Sequence, residues 1–189
     1  KTGIPHFVGN PMDRCEEDNL RVMRYIRFFS RGNTGGPEII EQNDPEASSA
    51  LHRFSSMPAV SEERIIAEFV SGLGKALDPA NFLKTLHHFG IMERMLRGLK
   101  ISTDFRTLRI LGSGDMARNP RLVLAFILRN NDPSLLGQTL NTLKFNSVRG
   151  VGKLTEGIVF LVQLANLSDD TAYDLAASRN RLRPNLRTN

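Results

Sequence analysis

Tryptophan is absent from this 189-residue chain, cysteine occurs once and tyrosine twice. A lone cysteine, Cys15, excludes a disulfide framework within the chain and fits a reducing, intracellular compartment such as cytoplasm or mitochondrial matrix. No apolar run approaches the ~20 residues needed to span a bilayer, so no membrane association is expected. The first residues, Lys1-Thr2-Gly3-Ile4-Pro5, contain no signal-peptide core. They also lack an initiator methionine, so Lys1 need not be the natural start. With 40% hydrophobic and 24% charged residues the composition is that of an ordinary globular protein, which excludes disorder over the whole chain.

What is present is positive charge, unevenly spread. The net charge is +5. Residues 32–68 carry two basic side chains against seven acidic ones, whereas residues 116–153 carry six against one. A basic C-terminal half suits a polyanionic partner, most simply nucleic acid. The plain alternative is a basic surface that binds nothing anionic.

Period-2 alternation is scarce and apolar residues recur at helical spacing, which predicts an all-α fold. A first helix is expected from about Asp13 to Arg31, behind Pro11 and ahead of Gly32. Residues 32–46, rich in Gly, Pro and Asn, read as a loop. Further starts are expected at Asp44-Pro45, at Ser61-Glu62-Glu63, at Asp78-Pro79, at Pro120 and at Asp132-Pro133-Ser134. Gly90 reads as a stop, with a short helix from Ile91 to Leu99. Residues 111–119 read as a second loop. A long apolar helix from Ser147 to about Ala165 and a last one from Ser168 to about Ser178 complete the reading, followed by a basic tail. No fixed-period repeat stands out.

The stretch richest in chemistry is 9–29. Arg21, Arg24, Arg27 and Arg31 recur at spacings of three, three and four, which makes one basic stripe on a helix. Glu17 and Asp18 lie one turn before Arg21, and both can reach its guanidinium. The plain reading is a solvated face laced with weak helix ion pairs.

This stretch resembles the C-terminal helical region of class II tRNA nucleotidyltransferases, the family of CCA-adding enzymes and bacterial poly(A) polymerases. The resemblance rests on Phe7-Val8-Gly9-Asn10-Pro11, then Arg14, then Glu17-Asp18-Asn19-Leu20-Arg21, then Arg24, Arg27 and Phe28. Asn10 stands where the family usually has Asp. Glu62-Glu63-Arg64-Ile65 with Glu68 is similar to the family's Glu-Arg-Ile-x-x-Glu helix, and 80–96 to its leucine-rich passage. The likeness covers about residues 4–100 and continues weakly to about 165.

The resemblance implies an elongated array of about eight to ten helices. It would comprise a neck-like domain over 1–100, a body-like RNA-binding domain over 101–178 and a basic tail over 179–189. It implies that Asp18 and Arg21 act as a protein template for ATP or CTP, with Glu17 orienting Arg21 and Arg24 helping to position the base. Adenine and cytosine each present an amino donor beside a ring-nitrogen acceptor. A carboxylate and a guanidinium match that pattern, and guanine or uracil reverses it. The body would grip the acceptor arm of tRNA, or another RNA 3′ end, through Arg118, Arg121, Arg129, Lys144, Arg149 and Lys153, mostly at phosphates.

In the family, two Mg²⁺ ions are held by carboxylates of a head N-terminal to this motif, and this chain begins almost on the motif. Mg²⁺ is therefore expected in the head and no metal in this chain. The head could be cleaved, be a separate polypeptide, lie outside a deliberate fragment, or have been lost from a relative that only binds RNA in a ribonucleoprotein assembly.

The remaining motifs are poor. Glu16-Glu17, Glu62-Glu63 and Asp169-Asp170 are neighbours that diverge on a helix. Gly112-Ser113-Gly114-Asp115 has no Asp-x-Asp strand after it, and Gly150–Lys153 lacks P-loop spacing. His87-His88 lacks the i,i+4 spacing of a helical metal pair, and His6 and His52 have no ligand neighbours in sequence. Cys15 reads as a small apolar residue at a helix start rather than as a nucleophile.

Overall fold

The structure is a computed structural model that describes residues 3–111, 119–148 and 153–165. Those residues are all-α, as the periodicity requires. The helices are α1 (Pro11–Glu17), α2 (Leu20–Gly32), α3 (Pro37–Asn43), α4 (Pro45–Arg53), α5 (Glu62–Lys75) and α6 (Pro79–His88). They continue as α7 (Ile91–Met95), α8 (Phe105–Leu111), α9 (Pro120–Ile127), α10 (Pro133–Thr142) and α11 (Leu154–Ala165), with a short 3₁₀ turn at Phe145–Ser147. None of the described helices is long and apolar enough to cross a membrane. The final expected helix, the tail and most of the loop after α8 lie outside the described residues.

At α1, α4, α6, α9 and α10 the start combines proline with a capping side chain. Asn10 accepts from the N–H of Met12 and Asp13, Asp78 from Ala80 and Asn81, and Asp132 from Ser134 and Leu135. Each cap occupies one of the orphan donors of a first turn, and Pro at N1 removes another. Ser61 precedes α5 in extended conformation but makes no side-chain cap bond. Gly90 follows α6 at φ 71°, a left-handed position that glycine adopts without Cβ strain.

The reading of 32–46 as loop needs correction, because Pro37–Asn43 forms α3. Its Ile40 is fully buried, so tertiary packing stabilises a seven-residue helix too short to stand alone. The single helix expected over 13–31 is instead two, broken at Asp18-Asn19. The Ile91–Leu99 helix ends early, at Met95.

One apolar cluster of buried residues runs from Cys15 to Val162. α2 and α5 form its most extensive helix pair, and α6 packs on both. α9, α10 and α11 pack together, and α9 also touches α5. Phe69 on α5 joins the two groups, with its ring 6.2 Å from Phe82 of α6 and 6.3 Å from Phe145 of the 3₁₀ turn. Gly72 lets α5 and α6 approach: a Cβ there would overlap the Phe82 ring.

Candidate nucleotide-selecting site at the α1–α2 break

Asp18 and Asn19 favour local side-chain-to-backbone bonds over helix interior. Asn19 Nδ2 donates back to the Cys15 carbonyl at 2.6 Å, closing α1. Asp18 is extended (φ −149°, ψ 100°), and its Oδ1 accepts from the N–H of Leu20 at 3.1 Å, opening α2. One residue seals the helix behind and the other starts the helix ahead. The Asn10 departure from the family pattern costs little, since Asn and Asp cap equally well.

The break separates the two acids expected at Arg21. Glu17 contacts Arg21: Glu17 Oε2 accepts from Nη1 of Arg21 at 2.6 Å and from Nη1 of Arg14 at 2.5 Å. The bond from Arg21 is the main reason the Glu17 carboxyl sits below its ordinary value. Nη1 of Arg21 also donates to the Arg14 carbonyl at 2.7 Å. Arg21 uses only Nη1 in these bonds, so Nε and Nη2 remain for another acceptor.

Asp18 turns the other way. Its Oδ2 lies 3.6 Å from Arg24 and 3.6 Å from Arg64, within ion-pair range but too far for a direct hydrogen bond. Arg24 and Arg27 together hold Glu68, through Nε–Oε1 at 3.1 Å and Nε–Oε2 at 2.6 Å. Arg27 and Glu68 are only 13% and 16% exposed, so this part of the stripe is a largely buried ion pair between α2 and α5, while Arg24 stays 42% exposed at its edge. Asp18 and Arg21 are each 26% exposed, accessible but held.

Two stretches 44 residues apart in sequence thus meet, the Glu17–Arg27 run and the Arg64–Glu68 turn of α5. Five guanidinium groups (Arg14, Arg21, Arg24, Arg27, Arg64) stand against three carboxylates (Glu17, Asp18, Glu68). The cluster has a net positive charge, and Asp18 Oδ2 is an acceptor within it that makes no hydrogen bond. Phe28 beside it is 48% exposed, with the Arg27 guanidinium 4.4 Å from its ring centroid.

Of the six residues expected to grip RNA, four are among the described residues. Arg118 and Arg149 lie outside the described residues. Arg129 is turned onto its own element: it donates to the Phe126 carbonyl at 2.7 Å, covers the Phe126 ring at 4.0 Å and lies 3.8 Å from Asp104. Arg121 is half-buried, its side chain laid against Gly157 of α11. Lys144 is exposed at a left-handed turn (φ 64°). Lys153 is 80% exposed and pairs with Glu156 at 3.2 Å. Sequence reading missed a further basic feature, a pocket of about 400 Å³ lined by Lys84, Arg106 and Arg109 with Gly35, Glu38 and Asn81. The signal was Arg106 and Arg109 at i,i+3 on the unassigned stretch that forms α8.

Mg²⁺ takes about six oxygen ligands in near-ideal octahedral geometry. Among the described residues one group of three His, Cys, Asp or Glu side chains converges, Glu41 with His52 and His88, and its two imidazoles do not suit that ion. The described residues therefore do not fit the family's Mg²⁺ pair. Comparison with family models, with curated proteins and with solved structures finds no match for this chain.

Proposed function

We propose that this chain is the helical part of a class II tRNA nucleotidyltransferase, selecting ATP or CTP for addition to an RNA 3′ end. The observation that carries the reading is the meeting of the two resembling stretches at one cluster, where Asp18 Oδ2 is held by ion pairs alone, two Arg21 nitrogens stay outside its bonds to Glu17 and Arg14, and both side chains are partly accessible. Once the Asp18 carboxylate swings from Arg64 back toward Arg21, a base with an amino donor beside a ring-nitrogen acceptor pairs with that acceptor and those donors. A base with the reversed pattern sets carbonyl against carboxylate and N–H against guanidinium, and each unmade bond costs about 1–3 kcal/mol. Glu17 fixes Arg21 from behind. Arg24 keeps Glu68 as its hydrogen-bonded partner and adds positive charge beside Asp18. Phosphoryl transfer, with its Mg²⁺, belongs to a head acting with this chain.

Calorimetry of the chain with each of the four ribonucleoside triphosphates tests the selecting role without needing catalysis. ATP and CTP should bind at least about tenfold more tightly than GTP and UTP, a difference of about 1.4 kcal/mol. Asp18→Asn should erase that preference while leaving tRNA affinity unchanged. Equal affinity for all four nucleotides in the parent chain overturns the assignment. Incubation with Mg²⁺, labelled CTP or ATP and a tRNA ending before CCA then reports whether a head is present in the same sample.

A further inference from the structure

Outside the nucleotide cluster, three helices bring together side chains that sequence spacing keeps apart. Glu41 lies on α3, His52 in the last turn of α4 and His88 in the last turn of α6. α3 packs on both of the others. One donor atom from each residue lies within 4.8 Å of the other two, and all three side chains are exposed. His88 Nε2 is already 2.8 Å from Glu41 Oε1.

We propose that Glu41, His52 and His88 form a binding site for a zinc ion. Zinc takes nitrogen and oxygen at about 2.0–2.2 Å in tetrahedral geometry, which sets neighbouring donors roughly 3.4 Å apart. Small side-chain movements reach that spacing from the present arrangement. Two imidazoles and one carboxylate form a donor set for a borderline ion, and the fourth position is left to water. The carboxylate supplies negative charge. The last turns of α4 and α6 add the negative ends of two helix dipoles, which favour a cation there.

The imidazoles are also oriented. The buried Phe89 ring lies beneath both, 4.6 Å from the His52 ring and 5.0 Å from the His88 ring, in edge contact with each. The two imidazole centroids are 5.5 Å apart. His87, next in sequence, is paired instead with Glu93 on α7 and takes no part. A bound ion would link α3 to the ends of α4 and α6, tying down the seven-residue α3.

The test uses the whole chain, stripped with a chelator and titrated with zinc chloride alone. Calorimetry should show one ion per chain. His52→Ala or His88→Ala should weaken binding by about a hundredfold and Glu41→Gln by about tenfold, with His87→Ala unchanged. Melting curves in chelator check that the variants remain folded. In the parent chain, zinc should shift the ring resonances of His52 and His88 and leave those of His6 and His87 in place, a readout that needs no variant. Absence of binding overturns the proposal. So does binding that leaves the His52 and His88 rings unmoved.

Discussion

Cys15 and Glu17 are two positions apart and meet opposite environments. Cys15 is fully buried, and burial is the main reason its thiol is pushed up to about 11, with the Arg21 charge opposing and Asp18 reinforcing the rise. At neutral pH it remains a thiol, and nucleophilicity belongs to the thiolate. A thiol reagent such as Ellman's should leave the native chain untouched and titrate one group after unfolding. Fast reaction of the native chain would contradict this placement. Glu17 is 52% exposed, with its carboxyl lowered chiefly by the hydrogen bond from Arg21. A depressed carboxyl keeps its ion pair above its unfolded-state value and loses it as pH falls through the folded-state value. Glu17→Gln should therefore weaken ATP binding at neutral pH several-fold with little effect on melting temperature, since the pair is exposed. An unchanged ATP affinity would remove Glu17 from the site. The sequence made the Glu17–Arg21 contact legible, because i,i+4 spacing states it directly. It did not reveal that Asp18 faces Arg64, because that contact depends on how α2 meets α5.

At the scale of elements, the readable features were local ones. Asp78-Pro79 and Asp132-Pro133 announce helices because the cap and the proline satisfy or remove first-turn donors within three residues. The Asp18-Asn19 break lies in the polar run Glu16-Glu17-Asp18-Asn19, where the helical spacing of Glu17 and Asp18 to Arg21 suggested one continuous helix. α3 was hidden under Gly and Pro, because burial of Ile40 decides it. Glu68 stood in the sequence only as the end of a motif, and its partners became visible when α2 placed Arg24 and Arg27 on its two oxygens. Glu68→Ala leaves Arg27 largely buried without its carboxylate and should cost about 2–3 kcal/mol in urea unfolding. Glu62 pairs with Arg97, which is 58% exposed, so breaking that contact with Arg97→Ala should cost well under 1 kcal/mol. Gly72→Ala places a methyl group into the Phe82 ring at the α5–α6 crossing. It should cost about 1–3 kcal/mol despite the better helix propensity of alanine. A neutral or stabilising result would mean that α6 can shift without loss.

At the scale of the whole molecule, the question is where the surplus charge acts. Among the described residues the basic side chains are not gathered on one feature. Some lie at the α1–α2 cluster, some in the pocket of Lys84, Arg106 and Arg109, and some on α9 and the turns around α11. On the proposed function a nucleotide base would engage the first locally, through short-range hydrogen bonds. An RNA acceptor arm, on the same proposal, would engage the exposed cations through phosphates and release counterions, so the two kinds of binding would respond differently to ionic strength. Lys144 and Lys153 are exposed and lightly held, whereas Arg129 is stacked on Phe126 and bonded to its carbonyl. Lys144→Ala and Lys153→Ala should each lower the slope of log affinity against log salt for tRNA by about one, with melting temperature unchanged. Arg129→Ala should lower the melting temperature first. Filter binding of a tRNA acceptor stem across a salt series measures all three. A flat salt dependence in the parent chain would remove RNA from its partners and leave nucleotide selection to stand alone. A steep slope insensitive to both lysines would move the RNA contact to the basic pocket beside α8.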